Sequence, residues 1–309
     1  MGGSLNKVYK MDKKNKDGAK RSVRRSVAEW VTASVSVGAI VWLTVSPLNS
    51  FLKNDYNAAE SAQYYNNEGP WAKEGYIAHG GGVGQYLYTN SQEAVYDSLQ
   101  RGFQFIELDI IETDDGHLLA AHDRDYFCKL IGVPPGSPLN SEEVKKQKIN
   151  GSFTVLLGED IYRIMQEHPE MILVTDKITN YSLLRKEIPL PDRIIIECFS
   201  PRGVVEAKKC GFKHVAYSLF TVSQFRHAAH YGMRLLILPG TLALKNEQIH
   251  ADIVKLHQSG VCMCVYGGIC DDASVIYRHL GKSVSKFYMG KFAPHQLPPE
   301  EQPGIMNEK

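Results

Sequence analysis

Apolar residues recur along this chain as short runs at 76–78, 103–111, 171–177, 193–199, 214–220, 234–238, 261–266 and 284–289. Stretches of helical spacing and turn residues separate them, so the pattern predicts eight strands alternating with helices. A further run, 118–121, follows the turn Asp114-Asp115-Gly116. The interval is too short for a helical crossover, so this run is expected to return antiparallel beside its predecessor. Within 103–111 the residues alternate: Phe105, Glu107 and Asp109 share one face, and Ile106, Leu108 and Ile110 the other. Before that strand, Thr89, Asn90 and Ser91 offer helix caps, Gln92 and Glu93 stand three residues after the first two, and Gly102 ends the helix. A second helix is predicted over 158–168. Eight strands with helices between them fit either a (β/α)8 barrel or an open doubly wound sheet, and the pattern alone does not separate the two. In both, working residues gather at the C-terminal ends of the strands.

The N-terminal part breaks this rhythm. Between Lys7 and Arg25 nine basic residues face only Asp12 and Asp17, and the uncharged apolar run 30–45 follows, bracketed by Glu29 and Pro47. That order predicts a basic cytoplasmic tail over 1–28, a transmembrane anchor over 29–48 and a linker over 49–75, with the remainder exported. A cleaved signal peptide fits less well, because the apolar run is long and no small-residue cleavage site follows it. The barrel or sheet would then occupy 76–295 and a tail 296–309. The whole chain has 309 residues with 35 basic and 34 acidic side chains, a net charge of +1, which provides no general attraction to nucleic acid.

Chemistry concentrates at a few strand ends. The first run stops at His79, followed at once by Gly80, Gly81 and Gly82, where the backbone can turn tightly against a ligand. Glu107 and Asp109, two residues apart on one strand face, can reach the same cation, and His122 ends the antiparallel return. The six cysteines, Cys128, Cys198, Cys210, Cys262, Cys264 and Cys270, include no Cys-x-x-Cys pair. A zinc site of His257 with Cys262, Cys264 and Cys270 fits structural zinc spacing poorly, and cysteines inside apolar strands are usually small buried hydrophobes. Residues 123–160 carry Gly and Pro clusters and the lysines Lys145, Lys146 and Lys148, and are expected to pass over the strand ends as a long excursion.

Taken together, the His79 glycine turn, Thr89-Asn90-Ser91 with an acidic helix start, Glu107-Leu108-Asp109, the Asp115-Gly116 turn and His122-Asp123 resemble the glycerophosphodiester phosphodiesterase family, part of the phospholipase-C-like barrels. The resemblance is strongest over 76–123, and it favours the (β/α)8 TIM barrel over the open sheet. It implies hydrolysis of a glycerophosphodiester-type headgroup, lipid or envelope polymer. His79 and His122 would form an acid–base pair, as imidazoles that titrate near neutral pH can. Glu107, Asp109 and Asp176 would hold Mg²⁺ or Ca²⁺, and Lys177 with Gly80 and Gly81 would bind the substrate phosphate. Asp176 stands where the family usually has Glu. It and Lys177 have opposite parity on a regular strand, so both serve only if the strand ends there.

Three departures from the family pattern matter. Gly80 replaces an arginine that in the family contacts both phosphate and a metal-binding carboxylate. The family's Trp-Thr-x-Asn strand end reads Val265-Tyr266-Gly267-Gly268, and its Thr-Asp strand end reads Tyr288-Met289-Gly290-Lys291. Lys286 or Lys291 is the expected replacement for the missing positive charge. The alternatives to a metal-dependent hydrolase are a non-catalytic phosphate- or glycan-binding barrel and a metal-independent lyase that releases a cyclic phosphate.

Overall fold

The computed structural model describes residues 75–230, 233–245, 247–267 and 278–290. The expected cytoplasmic tail, membrane anchor and C-terminal tail, and also Cys270 and Lys291, lie outside them. Among the described residues no helix is long and apolar enough to cross a membrane.

Among the described residues eleven strands appear in chain order: β1 (Gly75–Ala78), β2 (Phe105–Glu112), β3 (Leu118–Ala120), β4 (Lys148–Ile149), β5 (Phe153–Thr154), β6 (Ile172–Asp176), β7 (Ile194–Cys198), β8 (His214–Ser218), β9 (Leu235–Pro239), β10 (Cys262–Tyr266) and β11 (Lys286–Met289). Eight of them are parallel neighbours in the order β1, β2, β6, β7, β8, β9, β10, β11. β1 pairs with both β2 and β11, which closes the sheet into a barrel and excludes the doubly wound alternative. The eight barrel strands are the eight apolar runs of the sequence. The return over 118–121 is antiparallel as expected, with Ile110 opposite Ala120 and Glu112 opposite Leu118.

Strand alternation sorts side chains between two cores. Ile106, Leu108 and Ile110 of β2 point outward and are fully buried under the helices. Inward-facing Phe105, Val174, Ile195, Ile237, Cys262 and Cys264 fill the lumen, so the barrel is a packed core and not a pore. Each fully buried apolar side chain contributes about 1.5–3 kcal/mol. That helps offset the several kcal/mol it costs to bury each charged group, and Glu107 and Asp109 sit on the inner face of this same strand.

The helices are α1 (Gln92–Gln100), α2 (Arg124–Leu130), α3 (Ser141–Val144), α4 (Gly158–Glu167), α5 (Tyr181–Glu187), α6 (Pro201–Lys209), α7 (Val222–His230), α8 (Gly240–Ala243) and α9 (Glu247–Gln258). Residues 123–157 are more than a loose excursion. α2, α3 and the β4–β5 hairpin enclose an apolar cluster of their own that includes Leu119, Phe127, Leu139, Ile149 and Leu157. The insertion is tied to the start of α1, where Glu93 accepts from the Thr154 backbone N–H at 2.7 Å and from its hydroxyl at 2.8 Å. Its lysines belong to the solvated surface, where Lys146 pairs with Glu143 at 3.1 Å and Lys145 pairs with Glu159.

Candidate active site

The first wall of the site is a backbone loop that only glycine can make. After Ala78 the chain turns through His79–Gly81 with φ of +57° at Gly80 and +84° at Gly81. A Cβ on Gly80 would come within 2.6 Å of the Tyr88 Cα, closer than real contacts allow. This turn aims the Gly80 N–H at Glu107 Oε2, 2.6 Å away. Asn90, itself at φ +50°, accepts from the Gly80-anchored segment's neighbour β2: its Oδ1 takes the Asp109 N–H at 3.0 Å while its Nδ2 donates to Asp109 Oδ2 at 3.0 Å. Asn90 N–H in turn donates to the Gly80 carbonyl at 2.9 Å. Of the three candidate caps, Ser91 caps α1 through Ala94 N–H at 3.3 Å, which leaves Asn90 to hold Asp109.

The second wall is the end of β6. Asp176 lies in register with Asp109 across the β2–β6 pair. Lys177 then leaves the strand at φ +60°, and the Ile178 N–H donates to the Asp176 carbonyl at 2.7 Å, closing a three-residue turn. This answers the parity question. Asp176 points inward as a strand residue, and the turn swings Lys177 to the same side, with Nζ 2.6 Å from Asp176 Oδ2 and 3.5 Å from Asp109 Oδ1. Glu107, Asp109 and Asp176 are all buried and offer ligand atoms within 4.8 Å of one another. Asp176 Oδ1 is buried and has no hydrogen-bond partner. A buried carboxylate oxygen without a donor is unfavourable unless something positive meets it. The three carboxylates therefore fit a divalent cation with hard oxygen ligands.

The sequence reading missed a fourth carboxylate. Glu197 of β7 faces the lumen, accepts from Ser218 Oγ at 2.8 Å and from the Tyr288 hydroxyl. Its only sequence signal is a lone acidic residue with inward parity near the end of an apolar strand. Tyr288, Tyr88 and Tyr266 surround His79 edge-on, with ring centroids 5.2, 4.7 and 6.4 Å away. The Tyr88 hydroxyl lies 3.3 Å from His79 Nδ1. Tyr266 and Tyr288, which stand in two of the departing strand ends, thus frame a candidate catalytic residue. His122 is more open. Its Nδ1 lies 2.9 Å from Asp123 Oδ2, while the other Asp123 oxygen caps α2 through Tyr126 N–H at 2.7 Å. The Ala121 N–H donates to the Asp109 carbonyl at 2.8 Å, which fixes His122 beside the end of β2.

The expected role of Lys286 does not hold. It begins β11, pairs in register with Gly75 and is fully buried at the N-terminal end of the lumen, its Nζ 4.1 Å from the Phe105 ring centroid. Its inward parity is right, but it stands two residues below Tyr288, at the opposite end of the strand from the mouth. Lys291 lies outside the described residues.

Electrostatics at the mouth follow from crowding four acids around few cations. Burial, reinforced by Asp109 and Asp176, pushes Glu107 well above the usual carboxylate range. Burial and Asp109 likewise raise Asp176 against the pull of Lys177, and burial raises Glu197. Asp109 goes the other way. Burial opposes its ionisation too, but Lys177, His122 and the Asn90 hydrogen bond outweigh it and hold the group low. Lys177 is held protonated by Asp176 and Asp109 in spite of its burial.

These directions predict a pH dependence. A carboxyl whose folded pKa is raised stabilises the fold below the unfolded value, and that contribution is lost as pH rises through the raised value. Glu107, Asp176 and Glu197 behave so, while the contribution of Asp109 is present above its unfolded value and is lost only in acid. The cluster should therefore cost metal-free protein thermal stability as pH rises from 5 to 8, against the gain from His214, which burial lowers to about 4, and a divalent cation should make the slope more positive by neutralising the cluster. Thermal melts with chelator, Mg²⁺ or Ca²⁺ at both pH values check this. Equal pH slopes with chelator and with metal would contradict it.

The molecule is thus a closed parallel barrel with an acidic cluster, a lysine and two histidines at its C-terminal mouth. The solved structures agree on the fold. A glycerophosphoryl diester phosphodiesterase from Parabacteroides distasonis superposes with a TM-score of 0.58 at 16% identity, covering 77% of this chain and 89% of that one. The glycerophosphodiester phosphodiesterase of Thermotoga maritima gives a TM-score of 0.53 at 18% identity, covering 70% of this chain and 93% of that one. A phosphodiesterase from Oleispira antarctica, solved in complex with its product sn-glycerol-3-phosphate, gives a TM-score of 0.55 at 12% identity over 74% of this chain and 94% of that one. No family model matches the sequence, and no curated protein matches it. The chain therefore has the barrel fold of the glycerophosphodiester phosphodiesterases at a wide sequence distance.

Proposed function

We propose that this protein is a metal-dependent phosphodiester hydrolase acting on a glycerophosphodiester-type group. The observation that carries the reading is the convergence of Glu107, Asp109 and Asp176 beside Lys177, with Asp176 Oδ1 left for a cation. Their all-oxygen donor set suits Mg²⁺ or Ca²⁺. Such an ion, when bound, supplies Lewis-acid stabilisation of phosphate oxygens. Lys177 adds a fixed positive charge at the same place. His79, ringed by tyrosines, and His122, oriented by Asp123, stand at the ends of β1 and β3, which both pair with β2. One takes the proton of a neighbouring substrate hydroxyl as its oxygen bonds to phosphorus while the other protonates the leaving oxygen as its P–O bond breaks, and water then opens the resulting cyclic phosphate with the two roles exchanged. The N-terminal sequence supports a single-pass membrane anchor with the barrel on the extracytoplasmic side, which protease protection of membrane vesicles would test.

Incubation with a phosphodiester that carries a chromogenic leaving group and a neighbouring hydroxyl, with and without chelator, tests the function. Metal-dependent turnover is the expected result. Cyclic phosphate formed without metal would replace hydrolase by lyase, and no turnover on any phosphodiester would leave a binding barrel.

Lys177→Ala should lower kcat/KM by about 10²-fold or more, the effect of losing one preorganised charge at a water-excluded transition state. Gly80→Arg, which would restore the residue the family resemblance calls for, is not expected to rescue that loss. Its left-handed φ and the 2.6 Å approach to Tyr88 Cα make any side chain there destabilising, by about 1–3 kcal/mol. The phosphate charge would have another holder if Lys177→Ala kept full activity.

A further inference from the structure

Phe199 and Phe220 form a shelf beside the candidate phosphate site. Phe199 directly follows β7, and Lys177 Nζ lies 5.4 Å from its ring centroid. Phe220 lies just past the end of β8, its ring stacked on Phe199 at 5.8 Å with an interplanar angle of 23°. Phe220 is 42% exposed, one of three large apolar side chains open to water among the described residues. A second, Leu244 at 37%, closes the short helix that follows β9. Two aromatic side chains thus stand just beyond the C-terminal ends of the neighbouring strands β7 and β8, the first of them against Lys177. The presentation of Phe220 is fixed by the backbone, since the Phe220 and Thr221 N–H groups both donate to Gln224 Oε1, at 2.9 and 3.1 Å.

We infer that this shelf seats the apolar chain of an acyl-bearing phosphodiester, so that the site takes a lipid-type substrate in preference to a water-soluble headgroup or an envelope polymer. The inference rests on the hydrolase reading above and narrows its substrate. A stacked aromatic pair open to water gains free energy when an alkyl chain covers it. A quaternary ammonium fits less well. Phe199 already faces the Lys177 ammonium, and a second cation there would meet like charge. The geometry also differs from an aromatic cage: the rings lie nearly parallel and offer a surface, while the three tyrosines that do form an enclosure surround His79.

Calorimetric binding of octyl methyl phosphate and dimethyl phosphate to wild type and Phe220→Ala tests the shelf without requiring turnover. Wild type should bind the octyl ester about tenfold tighter or more, the effect of burying two or more methylenes, and Phe220→Ala should lose most of that preference while binding dimethyl phosphate as before. In parallel, kcat/KM for 1-octanoyl-glycero-3-phosphocholine should exceed that for glycero-3-phosphocholine by a similar factor, again only with Phe220 present. Equal affinity for the two esters in wild type would overturn the inference, and so would a chain preference that survives Phe220→Ala. A Phe220-dependent chain preference in binding, with neither choline ester cleaved and no turnover of the chromogenic phosphodiester, would uphold the shelf and overturn the hydrolase reading.

Discussion

Calorimetric titration of the Glu107→Gln variant with Mg²⁺ and Ca²⁺ is expected to show binding abolished or severely weakened, with turnover reduced by about 10²–10³-fold or more. The substitution removes one of three charged donors and little else. A glutamine carbonyl oxygen can still accept the Gly80 N–H that now meets Glu107 Oε2 at 2.6 Å, so the glycine turn should keep its shape. The stability of the variant should move in the opposite direction from its activity. Glu107 is pushed above the usual carboxylate range by burial and by its acidic neighbours, so at pH 8 without metal the neutral amide relieves a repulsion and the variant should melt higher than wild type. Unchanged metal affinity would remove Glu107 from the ligand set. Loss of affinity together with a lower melting temperature would instead point to a damaged fold.

His79→Ala and His122→Ala should each lose about 10²–10⁴-fold in kcat, the usual contribution of one acid–base group. Their structural costs should differ. His122 is exposed and lies against its sequence neighbour Asp123, so its replacement should leave stability within about 0.5 kcal/mol. His79 is enclosed by Tyr88, Tyr266 and Tyr288, and its removal leaves a space that those rings can move into. Thermal melts of both variants separate a chemical loss from a packing loss. A variant that retains near-normal kcat takes its histidine out of the mechanism.

The sequence carried the barrel because strands in a parallel sheet are buried on both faces and show as apolar runs, and all eight were visible. Closure was not. It depends on β1 pairing with both β2 and β11, a long-range fact that periodicity does not encode, and only the resemblance favoured it. Glu107, Asp109 and Asp176 were legible because parity along a strand gives the face. Lys177 was legible in identity but not in direction, since its position depends on a left-handed backbone angle that a lysine rarely adopts. Lys286 shows the limit of parity. Alternation says which side of the sheet a residue faces, whereas depth along the barrel axis requires the register between strands. Glu197 went unread for a similar reason, because the hydroxyls that hold it come from Ser218 and Tyr288, 21 and 91 residues away. Asn90 has the sequence signature of a helix cap, a local role, whereas its bonds to Asp109 are non-local.

The packed lumen sets the traffic of reactants. Among the described residues, Phe105, Cys262, Cys264 and the buried Lys286 fill the far end of the lumen, so the acidic cluster is reached from the strand C-termini. Whatever is released must leave by the route its successor uses to enter. If the protein turns over phosphodiesters as proposed, a phosphate-bearing product held at Lys177 would block the next arrival, and accumulated product should slow turnover as a competitor of substrate.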